Sequence, residues 1–224
     1  MEDVTAVITT PESQKVHHLE GESPSFGMIF NDKRILKITL NLTIVNFFFG
    51  GFNVYIVKIA ADIGSPVMLG LLNSTLAIGT LVGATIFSQK ILKNLILGSK
   101  LVLCSCLFGV MLVFTSFFAS SVWVIFPLTI GAVFLGVTQI LTHPIVQTIV
   151  PEEKLGRVFS AQYTISVGIM PLGSLIFGKV AEIMSSEIFF ILIGIVYILI
   201  GISYWLQKEI AHFSLTSESN GLSN

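Results

Sequence analysis

Six long apolar runs, separated by short polar breaks, dominate the sequence. Each run has almost no charge and is apolar on every side, whereas a helix of a soluble bundle has one apolar and one polar face. About 20 such residues cross the roughly 30 Å hydrocarbon core of a bilayer. The pattern predicts an all-α integral membrane protein with six transmembrane helices, at residues 36–57, 66–88, 96–118, 121–142, 158–180 and 186–206.

Composition supports the membrane assignment and excludes other classes. The 224 residues are 53% hydrophobic and 11% charged, with a mean hydropathy of +0.88, whereas soluble domains carry about 25% charge. The net charge of −1 provides no basic surface for nucleic acid. Cys104 and Cys106 are two apart in an apolar run, so they predict neither a disulfide framework nor a metal site. We expect contact with membrane lipid, and no cofactor, metal or nucleic acid.

The distribution of basic residues predicts the orientation. If the N-terminus is cytoplasmic, then of the twelve Lys and Arg residues only Lys58 and Lys179 lie in outer segments, as the preference of basic residues for the cytoplasmic side requires. We predict a polar cytoplasmic segment over 1–33, flexible and with little core-forming content, a six-helix domain over 34–206 and a disordered cytoplasmic tail over 207–224. The expected location is a bacterial cell membrane.

The first predicted helix carries a small polar face. Asn46, Gly50 and Asn53 follow one another at i, i+4 and i+7 and share a side of the helix. Several aromatic residues, including Phe49, surround them. This face either lines a pathway for an amphipathic substrate or bonds to a neighbouring helix, and the sequence does not distinguish the two.

Other polar side chains inside the runs are neutral or lie at helix ends, and no Asp, Glu, Lys or Arg lies deep in any run. Gln139, His143 and Gln147 follow at i, i+4 and i+8 near the end of the fourth run. His143 is either a substrate-pathway residue or an interfacial helix-end residue. Asn73 and Gln162 either face a cavity or bridge two helices.

Small residues predict helix contacts and one break. Gly79 and Gly83 form a small-xxx-small pair that lets two backbones approach. Gly168, Pro171 and Gly173 make the fifth run breakable near its middle, as at many transporter sites and in plain packing helices.

Two stretches resemble the macrolide-efflux-like drug permeases of the major facilitator superfamily. Residues 26–58, with IFNDKRIL at 29–36 and VNFF at 45–48, are similar to that family's passage from the central cytoplasmic loop into its seventh helix. VPEEKLGRVFS at 150–160 and MPLG at 170–173 resemble its loop between helices ten and eleven and the start of the eleventh.

The resemblance implies a fold and roles for individual residues. The six helices would be helices seven to twelve, and the segment over 1–33 a remnant of the central loop. Asn46, Asn53 and Gln139 would line the cavity, because the family's seventh and tenth helices do so. Gly156 and Arg157 would lie on a cytoplasmic loop, where Arg157 is either a gating charge or a membrane anchor.

The implied function is efflux of amphipathic small molecules by alternating access, driven by a proton gradient. Six helices are half of such a transporter, which works by rocking one half against the other. We therefore expect a six-helix partner chain or a homodimer.

Two alternatives stay open at this point. One is a truncated or non-transporting membrane protein with a binding, regulatory or immunity role. The other is an intramembrane protease, because Glu152, Glu153 and Arg157 spell the EExxxR pattern of CAAX-type enzymes. The protease reading is weak, since the only histidine after Arg157 is His212 in the tail and the Glu pair is predicted to lie on a loop.

Overall fold

The computed structural model describes residues 24–86 and 97–206, and these contain α-helices, one short 3-10 turn and a π-helical turn at 83–86 but no strand. The apolar runs become helices because a backbone in hydrocarbon must satisfy its own hydrogen bonds. The helices are α1 Pro24–Asn31, α2 Lys33–Asp62, α3 Pro66–Val82, α4 Leu97–Ser116, α5 Ile125–Ile149, α6 Glu152–Gly168, α7 Met170–Val180 and α8 Ser186–Leu206, with the 3-10 turn at Val122–Val124.

Six spans in the described residues are long and apolar enough to cross a membrane, as the sequence predicts. This confirms an all-α multi-pass membrane domain. The fifth span, Glu152–Val180, consists of α6 and α7 and is interrupted at Ile169, where the glycines and proline predicted a break. We call the end of the bundle where α2 begins the Asp32 end, and the opposite end, where α2 finishes, the Lys58 end.

The segment before the first span differs from the expectation of a flexible stretch. Residues 24–31 form α1, which packs on α2 and α6 and buries Ile29 completely. Asp32 then caps α2, because its carboxylate accepts a hydrogen bond from the backbone N–H of Arg34 at 2.8 Å. The predicted flexible residues 1–23, the tail 207–224 and the break between the second and third spans at 87–96 lie outside the described residues.

The predicted cytoplasmic loop at Gly156 and Arg157 is wrong, since both residues lie within α6. Pro151 precedes the helix, and its carbonyl accepts a hydrogen bond from Lys154 N at 2.9 Å. Glu152 occupies the first turn, where a negative charge is favourable beside the helix N-terminus. Periodicity missed this turn because its residues are polar and lie before the apolar run.

Three helix pairs pack through small residues: α2 with α7, α3 with α5, and α4 with α8. In α3, a Cβ on Gly83 would overlap the backbone oxygen of Val133, and one on Gly79 would lie 2.5 Å from Ala132 Cβ. A Cβ on Gly173 would overlap the backbone of Phe47. Pro171, in contrast, is exposed in the first turn of α7.

Candidate functional site

A large cavity lies between α2, α5 and α6 in the half of the bundle nearer the Asp32 end. Its volume is about 660 Å³, which falls within the range of small-molecule sites. We call it the main cavity. Its lining combines amides and hydroxyls with apolar and aromatic side chains: Leu42, Asn46, Gln139, Thr142, Phe159, Ser160, Gln162, Tyr163, Ser166 and Val167.

Three of the predicted amides meet at the main cavity. Asn46 Nδ2 donates to the carbonyl of Leu42 in its own helix at 2.9 Å. Gln162 is buried, and its Nε2 donates to Thr39 Oγ1 of α2 at 3.2 Å, so this side chain both forms part of the wall and bridges α6 to α2. Gln139 is exposed on α5.

Other predicted site residues do not line the main cavity. Asn53 and Asn73 are exposed on α2 and α3, and Asn73 Nδ2 donates to Leu69 O of its own helix at 2.9 Å. Gly156 and Arg157 are exposed near the start of α6. The side chain of His143 lies outside the described part of the structure.

Apart from Gln162, the residues that α6 contributes to the main cavity were missed by the sequence prediction. Phe159, Tyr163 and Ser166 recur at helical spacing and line the main cavity together with Ser160 and Val167. No described residue gives the Ser166 hydroxyl a hydrogen-bond partner, although this side chain is buried. The sequence does contain a signal for this polar wall, because the span that includes α6 is the least apolar of the six.

A second, smaller cavity of about 180 Å³ lies behind the first, between α2 and α5 on one side and α4 and α8 on the other. We call it the crevice. It shares Leu42, Asn46, Gln139 and Thr142 with the main cavity. Phe49, predicted for the substrate pathway, lies here. The remaining lining residues are Val45, Leu101, Ser105, Leu135, Thr138, Tyr197, Ile200 and Tyr204.

Polar contacts hold the elements at the Lys58 end together. Lys58 Nζ donates to the carbonyls of Ala181 and of Met184, the latter at 3.1 Å. Ser120 Oγ donates to Glu187 Oε1 at 2.7 Å and connects the end of α4 to the start of α8. These bonds stabilise the end of the bundle remote from both cavities.

At the Asp32 end, one ion pair has an electrostatic consequence. Arg34 Nη2 lies 3.1 Å from Asp32 Oδ2. Hydrogen bonds from the Arg34 side chain hold the pKa of the Asp32 carboxyl below its usual range, outweighing its slight burial. The pair anchors the first turn of α2 where the chain leaves the membrane-spanning region.

The chemistry available at the two cavities is neutral hydrogen bonding and apolar contact. Among the described residues, neither lining includes a charged side chain, and no three His, Cys, Asp or Glu residues group together as metal ligands. Glu152 and Glu153 of the EExxxR pattern are exposed in the first turn of α6 rather than on the predicted loop. The arrangement suits binding of an amphipathic molecule.

Comparison with known protein families gives a match over most of the chain. The family model described as Major Facilitator Superfamily matches residues 14–220, almost the whole chain. No curated protein and no solved structure matches the sequence.

Proposed function

Since this chain belongs to the major facilitator superfamily, we propose that its six helices form one lobe of a secondary transporter that exports amphipathic small molecules by alternating access. Membership of this family identifies the chain as a membrane transporter. Efflux, the amphipathic substrate and the need for a second lobe are the parts that we propose.

The main cavity is the observation that carries this proposal. It opens between α2, α5 and α6, and its lining contains the aromatic side chains of Phe159 and Tyr163 together with the amides of Asn46 and Gln139. Small-molecule sites combine a mostly apolar lining with a few placed polar groups in this way. A drug-like molecule with apolar rings and hydrogen-bonding groups fits such a surface.

Uneven burial of the spans supports a second lobe. Half of the Val122–Thr142 span is buried inside the bundle, compared with 22% of Pro66–Ile86 and 17% of Glu152–Val180. Asn53 and Asn73 are exposed within spans, and polar side chains that face hydrocarbon are costly. We propose that the surface of α3, α6 and α7 faces a second six-helix unit.

The proposed orientation follows from the preference of basic residues for the cytoplasmic side of a membrane. We propose cytoplasmic termini in a bacterial cell membrane, which puts Lys33, Arg34 and Lys37 on the cytoplasmic side. The main cavity, nearer the Asp32 end, then lies toward the cytoplasm, where a substrate for export would enter. A proton gradient as the driving force rests on the resemblance to drug permeases.

Efflux from intact cells tests the proposal. The chain is expressed alone, and with a candidate six-helix partner, and release of a preloaded fluorescent amphipathic dye is followed with and without an uncoupler. We expect uncoupler-sensitive release in one of the two strains and its loss in Gln139→Leu, with Gly27→Ala, at an open position on α1, as the control. Absence of release in both strains, with the protein present in the membrane, would contradict the proposal.

A further inference from the structure

The crevice behind the main cavity is large enough to hold part of a small molecule. Its volume of about 180 Å³ far exceeds the ~10–15 Å³ that one water needs. It is walled by the two helices that line the main cavity, α2 and α5, and by the tightly packed pair α4 and α8.

One face of α8 forms the rear wall of the crevice. Tyr197, Ile200 and Tyr204 follow at i, i+3 and i+7, so all three point the same way. Tyr197 is held against Phe108 of α4 in an edge-to-face contact, with ring centroids 4.6 Å apart.

The Tyr197 hydroxyl is the unusual feature of this wall. The side chain is 3% exposed, and no described residue accepts or donates a hydrogen bond at this hydroxyl. Buried polar groups are almost always bonded, and one left unpaired costs free energy. Two neighbouring hydroxyls of the lining give their protons to backbone carbonyls, since Thr138 Oγ1 donates to Leu135 O at 2.8 Å and Thr142 Oγ1 to Thr138 O at 2.9 Å.

The crevice therefore offers an unused donor in an apolar and neutral surrounding. An O–H donor calls for a ligand atom that accepts, such as a carbonyl or ether oxygen. A cation gains nothing here, because no described residue of the lining carries a negative charge to offset the cost of burying it. The wall shared at Asn46, Gln139 and Thr142 connects the crevice to the main cavity.

We propose that the crevice is a second binding subsite, which takes the uncharged, hydrogen-bond-accepting end of an amphipathic molecule whose remainder occupies the main cavity. The Tyr197 hydroxyl donates to that acceptor. The inference rests on the proposed transport function and names the substrate class for the same site: neutral molecules with a carbonyl or ether group, in preference to cations.

Photolabelling with benzophenone tests the subsite without relying on transport. This probe is a neutral aromatic ketone, so its oxygen is the acceptor and the reactive atom at once. Membranes containing the full chain are irradiated with it, and adducts are mapped by mass spectrometry. An apolar groove of about 530 Å³ between α4 and α5, lined by Phe114, Trp123 and Phe126 among others, reports labelling from the lipid phase and is the internal standard.

We expect adducts on crevice residues such as Leu101 and Ile200, and about fivefold fewer of them, relative to the groove, in Tyr197→Phe, because one hydrogen bond is lost. This variant keeps the ring and removes a hydroxyl that has no described partner, so it folds. Tyr55→Phe, which removes a hydroxyl that bonds to Met184 O at the Lys58 end, remote from both cavities, is the matched control and leaves crevice labelling unchanged. Thr138→Leu narrows the crevice and reduces its adducts further.

A cationic benzophenone bearing a trimethylammonium group should label the groove but not the crevice. Adducts confined to the groove with the neutral probe, or a ratio that Tyr197→Phe does not change, would overturn the subsite. Failure of the transport proposal can be distinguished from failure of the subsite proposal. If only transport fails, dye release is absent while the Tyr197-dependent adducts persist.

Discussion

Asp32 is the residue at which α2 begins, and its carboxylate satisfies the otherwise unbonded N–H of Arg34. Replacing such a cap by Ala costs about 0.5–2 kcal/mol. We expect Asp32→Ala to lower the thermal midpoint of the purified protein and to speed amide hydrogen exchange over the first turn of α2. Exchange measured by mass spectrometry localises the effect, and an unchanged first turn would contradict the role of the cap.

The lowered pKa of the Asp32 carboxyl leads to a prediction about how the stability of the fold depends on pH. Arg34 lowers the pKa of Asp32 in the folded protein relative to the usual 3.8, so the native state favours the ionised form. Its contribution to stability is therefore complete above pH 3.8 and is lost as the pH falls through the lowered value. The difference between the wild type and Asp32→Ala should shrink in that acid range, whereas Asp32→Asn, which keeps an acceptor without the charge, should show less dependence on pH.

Lys58 shows how a charge near a membrane boundary can hold two helices together. Its ammonium group donates to the carbonyls of Ala181 and Met184, just beyond α7, and lies 5.8 Å from the centre of the Tyr55 ring. Hydrogen bonds from charged groups contribute about 1.5–3 kcal/mol. We expect Lys58→Met to lower the thermal midpoint clearly. Lys179→Met, an exposed lysine of the same end of the bundle, should change it little, and equal effects would refute the capping role.

Residue spacing predicted part of the site. Asn46, Gln139 and Gln162 lie at the main cavity because each belongs to a helix face that turns inward. Asn53 was expected beside Asn46, but the intervening Gly50 packs against α7, where Ser174 Oγ donates to Gly50 O at 3.1 Å. Residues on one face of a helix lie along a line on its surface. The packing of the neighbouring helices determines which part of that line borders the cavity.

Close backbone approach at glycines sets how the helices of the bundle pair. Gly83 of α3 and Gly136 of α5 each lack room for a Cβ, since one would overlap the backbone of Val133 and the other that of Thr80. We expect Gly83→Ala to separate α3 from α5 and to reduce the yield and thermal midpoint of the folded protein. Gly70→Ala in the same helix meets nothing within 4 Å, and should be neutral or stabilising by about 0.5–1 kcal/mol through better helix propensity. A parallel loss in both variants would contradict the packing argument.

The helices themselves were largely predictable, and the exceptions have physical reasons. Hydropathy placed all six spans within a few residues because the bilayer thickness fixes their length. It missed α1 and the first turn of α6, which lie outside the apolar runs. Both are stabilised by contacts that hydropathy does not register: the burial of Ile29 against the bundle, and the favourable position of Glu152 and Glu153 at a helix N-terminus.

At the scale of the whole molecule, the lobe is least buried on the side that would meet a second lobe. The α4 and α8 pair packs closely through Gly109 and Gly194, and the aromatic side chains Phe114 and Trp205 are exposed on these two helices. Such a surface suits lipid. Spans with exposed amides suit water or protein, and the proposed second lobe is therefore placed by where the polar groups lie rather than by the helix count.

Water access distinguishes these two surfaces. A membrane-impermeant maleimide reacts only with a thiol that water reaches, because the thiolate is the reactive form. In a background with Cys104 and Cys106 replaced by Ala, we expect Asn73→Cys in the exposed part of α3 to be labelled when the chain is alone and protected when the second lobe is present. Leu199→Cys, exposed on α8, should stay unreactive in both cases, since hydrocarbon surrounds it. Equal labelling of Asn73→Cys with and without the partner would place the second lobe elsewhere, and no labelling in either case would mean that this face of α3 lies in lipid.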